Sequence, residues 1–262
     1  MPELPEVETV VRSVRGHLVG KRILATEFTS PHVTPGNRDE LSARLAGRRI
    51  QSVTRYGKFI QIALDEGFLT VHLGMTGKLL VSGPVREHTY AIFTLDDGVL
   101  LYHDPRQFGS IEWSPDVSPR VARLGPEPLE ITLEDFRSRM KRKTRMKSLL
   151  LNQAFLAGVG NIYADESLFA AGIHPLASAE KLSKARVEKL YDAIRGILAH
   201  AIELGGSSIS DYVDAEGQKG WFQVEHCVYG REGEACKQCG GPIKKTLVAQ
   251  RGTHYCPHCQ KR

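Results

Sequence analysis

Two changes of pattern along the chain and one cluster of cysteines predict an α+β fold in two domains. From about residue 20 to 115, short β-prone segments alternate with turn residues; beyond a proline-rich stretch, apolar residues recur at the 3.6-residue period of helices. Four cysteines in two pairs close the chain. The reading is an N-terminal helix and two-layer β-sandwich (1–115), a linker (116–130), a helical domain (131–222) and a small metal-held β-hairpin (223–262).

The first element is a helix. Pro5 and Glu6 suit a first turn, and Val7, Val10, Val11, Val14 and Leu18 form one apolar stripe. Strands are predicted at Arg22–Phe28, Arg49–Arg55, Phe59–Leu64, Phe68–Leu73, Ala91–Leu95 and Val99–His103, with Asp65-Glu66-Gly67 and Asp96-Asp97-Gly98 as hairpin turns. Pro115, Pro119, Pro126 and Pro128 mark the linker. Helices follow at Leu133–Lys143, capped by Thr132 with Asp135 in the capping-box position, and at Met146–Phe155, Asn161–Ala171 and Ser183–Ala201. Gly158 and Gly160 permit a tight turn before Asn161, and residues 205–222 form a polar, glycine-rich connection.

At 262 residues and 41% hydrophobic content the chain can bury a substantial core. The net charge of +5 points mildly to a polyanionic partner, and its distribution says more. Seven of the twelve residues 136–147 are basic, and no acidic side chain follows Glu234, the electrostatic footprint of a nucleic-acid binder. No signal peptide, long apolar span or lipidation motif is present, so an intracellular protein is expected.

All five cysteines lie in the last 36 residues. Cys236-x2-Cys239 and Cys256-x2-Cys259, sixteen residues apart, have the spacing of two knuckles around a tetrahedral zinc with no open position, hence one structural Zn2+. Cys227 falls outside the spacing and reads as a packed free thiol. Strands are predicted at Ile243–Ala249 and Thr253–Tyr255 around a Gln250-Arg251-Gly252 tip, a ribbon too small to fold without its metal.

The chemistry concentrates at Met1-Pro2-Glu3-Leu4-Pro5-Glu6-Val7-Glu8. With Met1 removed, Pro2 presents a secondary amine beside the Glu3 carboxylate. An α-amine is partly neutral near physiological pH and can attack C1′ of a sugar. Joined to that carbon, a proline nitrogen forms an iminium with no N–H to lose, a persistent electron sink for elimination, while Glu3 can protonate the ring oxygen. The same residues also make an ordinary helix start.

This opening resembles that of the formamidopyrimidine-DNA glycosylase family of base-excision repair enzymes, and later segments are similar to that family almost end to end. The resemblance implies a helix–two-turns–helix element at residues 157–166 and DNA bound in a cleft between sandwich and helical domain. It also implies removal of oxidised purines such as 8-oxoguanine and formamidopyrimidines, with the Pro2 iminium driving β- then δ-elimination. Residue by residue, it makes Pro2 the nucleophile and Glu3 the acid/base, and has Lys58, in Tyr56-Gly57-Lys58, reach the lesion's sugar and phosphate. Met75 and Phe108 become wedges and Arg106 the reader of the orphaned base, for which an apolar wedge and a hydrogen-bonding side chain are the physical requirement. His88 and Asn161 contact DNA, Arg142, Lys143 and Lys147 supply charge to the backbone, and Arg251 grips the flanking phosphates and takes part in the last elimination. The loop over the flipped base corresponds to Ser208-Ile209-Ser210-Asp211-Tyr212, a departure from the family pattern that leaves its contribution to specificity open.

The expected partner is damaged double-stranded DNA, the expected state a monomer, and the expected location the bacterial cytoplasm at the nucleoid. Two other readings stay open. The related endonuclease VIII class removes oxidised pyrimidines but usually carries Gly where Leu4 stands. A zinc-dependent DNA-binding module on a catalytically silent scaffold would retain Met1.

Overall fold

The structure, a computed structural model, describes residues 1–209 and 212–262. It divides into two compact units, one of residues 1–123 with 204–221, the other of residues 124–203 with 222–262. Residues 204–221, grouped above with the helical domain, thus belong with the sandwich, and the cysteine ribbon belongs with the helices.

In the first unit, α1 spans Leu4–Leu18 and buries the face formed by Leu4, Val7, Val10, Val11, Val14 and Leu18. Each such side chain contributes about 1.5–3 kcal/mol on burial. Glu8 fastens the helix to the sheet: its carboxylate bridges Arg12 at 2.9 Å and the buried Arg55 at 3.0 Å. Burial pushes the Glu8 carboxyl up, but the two guanidinium groups outweigh it and hold it below the usual range.

The remaining elements are β1 (Ile23–Phe28), α2 (Arg38–Leu45), β2 (Ile50–Tyr56), β3 (Phe59–Leu64), β4 (Phe68–His72), β5 (Lys78–Leu80), β6 (Thr89–Leu95), β7 (Val99–His103) and β8 (Ser110–Ser114). They make two antiparallel four-stranded sheets, ordered β1-β6-β7-β5 and β2-β3-β4-β8. One hydrophobic core takes side chains from both sheets and from α1, which is the predicted two-layer arrangement. The Asp65–Gly67 and Asp96–Gly98 turns close with Leu64 N–H donating to Gly67 C=O and Leu95 N–H to Gly98 C=O, each at 3.0 Å.

Sequence patterning overlooks α2, β5 and β8. Asn37 caps α2 by accepting from the Asp39 and Glu40 N–H groups, but the helix buries only Leu41 and Leu45. The two strands are three and five residues long, and they are defined by pairing with β7 and β4 rather than by alternation of their own. A four-residue helix, α3 (Pro119–Ala122), capped by Ser118, lies within the expected linker.

The second unit holds α4 (Leu133–Arg139), α5 (Met146–Leu151), α6 (Asn161–Ala170), α7 (Lys184–Glu203) and the ribbon strands β9 (Lys244–Val248) and β10 (Arg251–Tyr255). Thr132 caps α4 as expected, its hydroxyl accepting the Asp135 N–H at 3.2 Å. That helix ends at Arg139 rather than Lys143, because residues 140–145 turn, and α5 stops at Leu151 rather than Phe155. No described helix is long and apolar enough to cross a membrane.

Candidate active site

The N-terminal turn is organised by reciprocal carboxylates. Glu3 precedes α1 in a capping box with Glu6, whose Oε2 accepts the Glu3 N–H at 2.8 Å. The Glu6 Oε1 accepts the Ser207 N–H at 2.7 Å, and the Glu6 carbonyl accepts the Tyr212 hydroxyl at 3.2 Å. Gly206 makes this approach possible: a Cβ there would lie 2.8 Å from the same Oε1, and its φ is +80°. The glycine-rich segment is therefore anchored to the turn that carries Pro2 and Glu3. Sequence reasoning assigned Glu6 to helix initiation alone and missed its link to Ser207; the signal for the capping box was the three-residue spacing from Glu3. Ser210 and Asp211 lie outside the described residues. Met1 is half exposed and Pro2 is buried; while Met1 remains attached, the Pro2 nitrogen is an amide and no nucleophile.

Lys58, in the tight turn between β2 and β3, is only 7% exposed, an unusual situation for a turn lysine. Its charge bears on His72, which stacks against Phe59 at 4.9 Å between ring centroids. Burial, with the Arg120 and Lys58 charges, pushes the His72 imidazole down to about 4. Neutral at physiological pH, its Nδ1 accepts the Gly74 N–H at 3.2 Å and so ties the end of β4 to the turn bearing Met75.

Met75 and Phe108 project into solvent, 39% and 58% exposed, where a core role would have buried them. The Arg106 guanidinium lies over the Phe108 ring, 4.7 Å from its centroid. His88 adopts φ +69°, rare for a residue with a Cβ, and its Nδ1 lies 3.1 Å from the Tyr90 hydroxyl.

In the second unit, Asn161 is the first residue of α6, behind Gly160. Its Nδ2 donates to the Gly252 carbonyl at 2.9 Å, linking the helix N-terminus to the ribbon. Lys147 departs from the expected role: its ammonium is fully buried, paired with Asp165 and donating to the Asn161 carbonyl at 3.2 Å. Asp165 also accepts the His254 N–H at 2.9 Å. Lys147 thus acts inside the unit, tying α5, α6 and β10, whereas Arg142 and Lys143 are exposed in the turn after α4. Glu166 accepts N–H groups from Cys227, Val228 and Tyr229 at 2.8–2.9 Å and welds the segment entering the ribbon to α6. Neither Asp165 nor Glu166 carried a sequence signal, because their donors are 18 to 89 residues away.

The ribbon turn is Ala249-Gln250, both with positive φ (+49° and +58°), as a two-residue type I′ hairpin requires. Arg251 consequently opens β10, opposite Val248, instead of sitting in the loop; it is exposed. The Cys236, Cys239, Cys256 and Cys259 sulfurs all lie within 4.8 Å of one another, with Cys236–Cys259 at 3.9 Å and Cys239–Cys256 at 3.5 Å. A tetrahedron with Zn–S bonds of about 2.3 Å has edges of about 3.8 Å, so these thiolates fit one structural zinc. Cys227 is half-buried and outside the set.

Comparison with known proteins places this architecture. Family models match residues 1–111 (formamidopyrimidine-DNA glycosylase N-terminal domain), 124–213 (formamidopyrimidine-DNA glycosylase H2TH domain) and 233–262 (zinc finger found in FPG and IleRS). Fold and site together define a DNA glycosylase scaffold with a zinc finger. The chain is 60% identical to the formamidopyrimidine-DNA glycosylase of Solibacter usitatus and 46% identical to that of Heliobacterium modesticaldum, covering the whole of both chains in each case. It is similar to the crystal structure of the MutM (FPG) protein of Thermus thermophilus, with a TM-score of 0.90, 42% identity and coverage of 99% of this chain and 98% of that one. It is equally similar to a Lactococcus lactis FPG variant in complex with a Fapy-dG containing DNA, with a TM-score of 0.91, 39% identity and full coverage of both chains. The chain belongs to the formamidopyrimidine-DNA glycosylase family.

Proposed function

We propose that this protein is a bifunctional DNA glycosylase and abasic-site lyase that removes oxidised purines, 8-oxoguanine and formamidopyrimidines, from double-stranded DNA in base-excision repair. The observation that carries the reading is the turn at residues 2–8, where buried Pro2 is followed by Glu3 and Glu6, both buried and joined by a hydrogen bond, inside a chain alike from end to end to glycosylases of that name. With Met1 removed, the Pro2 nitrogen attacks C1′ and the damaged base departs with the glycosidic electron pair. Glu3 protonates the ring oxygen, the sugar opens, and the resulting iminium accepts electrons as the C2′ proton and then the phosphates leave. Water finally releases the sugar fragment from Pro2.

Around this chemistry Lys58 supplies a fixed positive charge to the lesion's sugar and phosphate. Met75 and Phe108 fill the void left by the extruded nucleotide, and Arg106 reads the base left behind. His88 contacts the backbone on the same unit. On the helical unit, Asn161, at the positive end of the α6 dipole, and Arg251, Arg142 and Lys143 hold phosphates. Lys147 takes the positioning role its burial dictates. The zinc stabilises the ribbon and takes no part in the reaction. The protein works in the cytoplasm, on the DNA of the nucleoid.

The deciding experiment is borohydride trapping of the N-terminally processed protein on a duplex with 8-oxoguanine opposite cytosine, followed by mass mapping. The expected product is a stable amine on residue 2, absent from Pro2→Gly or strongly reduced there. An adduct formed only with an oxidised pyrimidine would transfer the reading to endonuclease VIII-like chemistry, and none on either duplex would leave a silent scaffold.

A further inference from the structure

We propose that Asp104 is a positioning residue for base extraction: its buried carboxylate, acting with the Thr76 hydroxyl, locks together the two turns that carry Met75, Arg106 and Phe108. The inference rests on the reading of those three side chains as the groups that occupy the gap in the duplex.

Asp104 follows β7 and is fully buried. Its Oδ1 accepts the Thr76 hydroxyl at 2.5 Å, and its Oδ2 accepts the Gly109 N–H at 2.9 Å and the Tyr102 hydroxyl at 3.3 Å. The Thr76 oxygen in turn accepts the Arg106 N–H at 3.3 Å. On the main chain, Asp104 accepts the Gln107 N–H and donates to the His88 carbonyl, both at 3.0 Å. One residue therefore reaches the Met75 turn, the Arg106–Phe108 turn and the strained His88 peptide.

The surroundings pack closely against these turns. A Cβ on Gly74 would lie 2.4 Å from the Phe108 carbonyl carbon, and one on Gly109 would lie 1.7 Å from the Tyr102 oxygen. Gln107 holds φ +52° with its Oε1 accepting the Ser30 hydroxyl at 2.5 Å. Burial and the adjacent Asp104 charge keep the Tyr102 hydroxyl protonated, hence a donor.

A buried carboxylate is a poor device for stability alone, since desolvation consumes most of what its hydrogen bonds return, and a well-packed apolar group commonly does as well. It is a good device for fixing geometry, because three donors converge on two oxygens from set directions. Rigid turns suit side chains that must displace a base, since a loose loop would lose ordering entropy at every extraction. Exposed tips on a hydrogen-bonded, closely packed base are what the structure shows.

The test separates extraction from chemistry. Thr76→Val keeps the shape but removes the hydroxyl that joins Asp104 to the Arg106 N–H, whereas Thr76→Ser keeps it. Single-turnover release of base from an 8-oxoguanine:cytosine duplex is compared with strand cleavage at a preformed abasic site, where no base is drawn from the stack. Thr76→Val should slow base release about ten-fold and abasic-site cleavage less than about two-fold, with Thr76→Ser within about two-fold of wild type in both. Asp104→Asn, checked for folding by thermal melting, should shift the same ratio further. Equal losses in the two assays, wild-type rates for Thr76→Val, or no rescue by serine would each overturn the proposal. A wild-type protein inert on both duplexes would instead overturn the functional reading, and this inference with it.

Discussion

His72 shows how much a single side chain can report. Its imidazole is held neutral down to about 4 by burial and by the Arg120 and Lys58 charges, against an ordinary value near 6.5. Between those values the unfolded chain binds a proton that the folded one refuses, so stability rises with pH across that window and is lost as pH falls through it. His226, pushed down to about 4 mainly by burial, acts with the same sign in the other unit. The melting temperature should therefore drop as pH falls from about 6.5 towards about 4, and His72→Gln should flatten that drop. A profile identical in the variant would show that His72 is not among the responsible groups. The cost of the arrangement is borne where it is useful, because a neutral Nδ1 is what accepts the Gly74 N–H behind Met75.

Among the elements, α6 does the most joining. Its first residue reaches the ribbon through Asn161, its second turn neutralises Lys147 and accepts from β10 through Asp165, and Glu166 beside it holds residues 227–229. Burial and the neighbouring Asp165 raise the Glu166 carboxyl, opposed by its three N–H donors. Lys147→Met would leave Asp165 charged and unpaired in a dry site, a loss of about 3–5 kcal/mol. Denaturant unfolding should register that loss, and adding Asp165→Leu should recover much of it; no recovery would mean that the pair is not the source. The ribbon behaves differently, since Arg251 is exposed and its strand is set by Thr253, Val248 and the cysteines. Arg251→Ala should weaken DNA binding by about ten-fold while leaving zinc content and melting unchanged. A variant that loses its zinc would make Arg251 a structural residue.

At the scale of the whole molecule the charge is modest, +5 over 262 residues, and its placement matters more than its sum. If Arg142, Lys143 and Arg251 each neutralise one phosphate, log K for duplex DNA should fall against log salt with a slope of about −3 or steeper. A flat titration would remove the phosphate-binding role from these cations. In the mechanism proposed above each unit carries part of the machinery: the sandwich would hold the nucleophile, its carboxylates and the void-filling turns, while the helical unit with the ribbon would hold the phosphate contacts.

The division between what the sequence by itself determined and what only the tertiary structure decided follows from the range of the interactions involved. Local chemistry wrote the α1 stripe, the Asp-Glu-Gly and Asp-Asp-Gly turns, the Thr132 cap and the two cysteine pairs, since each is specified by residues within a few positions of one another. Spacing alone also reached the zinc, and the resemblance at residues 2–8 reached the family. It took the folded chain to show that Lys147 faces Asp165 instead of solvent, that Glu6 meets Ser207 about two hundred residues away, and that Asp104 joins Thr76 to Gly109. Short strands such as β5 and β8, and buried carboxylates such as these, take their meaning from partners remote in the chain. No local pattern marks a residue for a donor that only folding brings within about 3 Å.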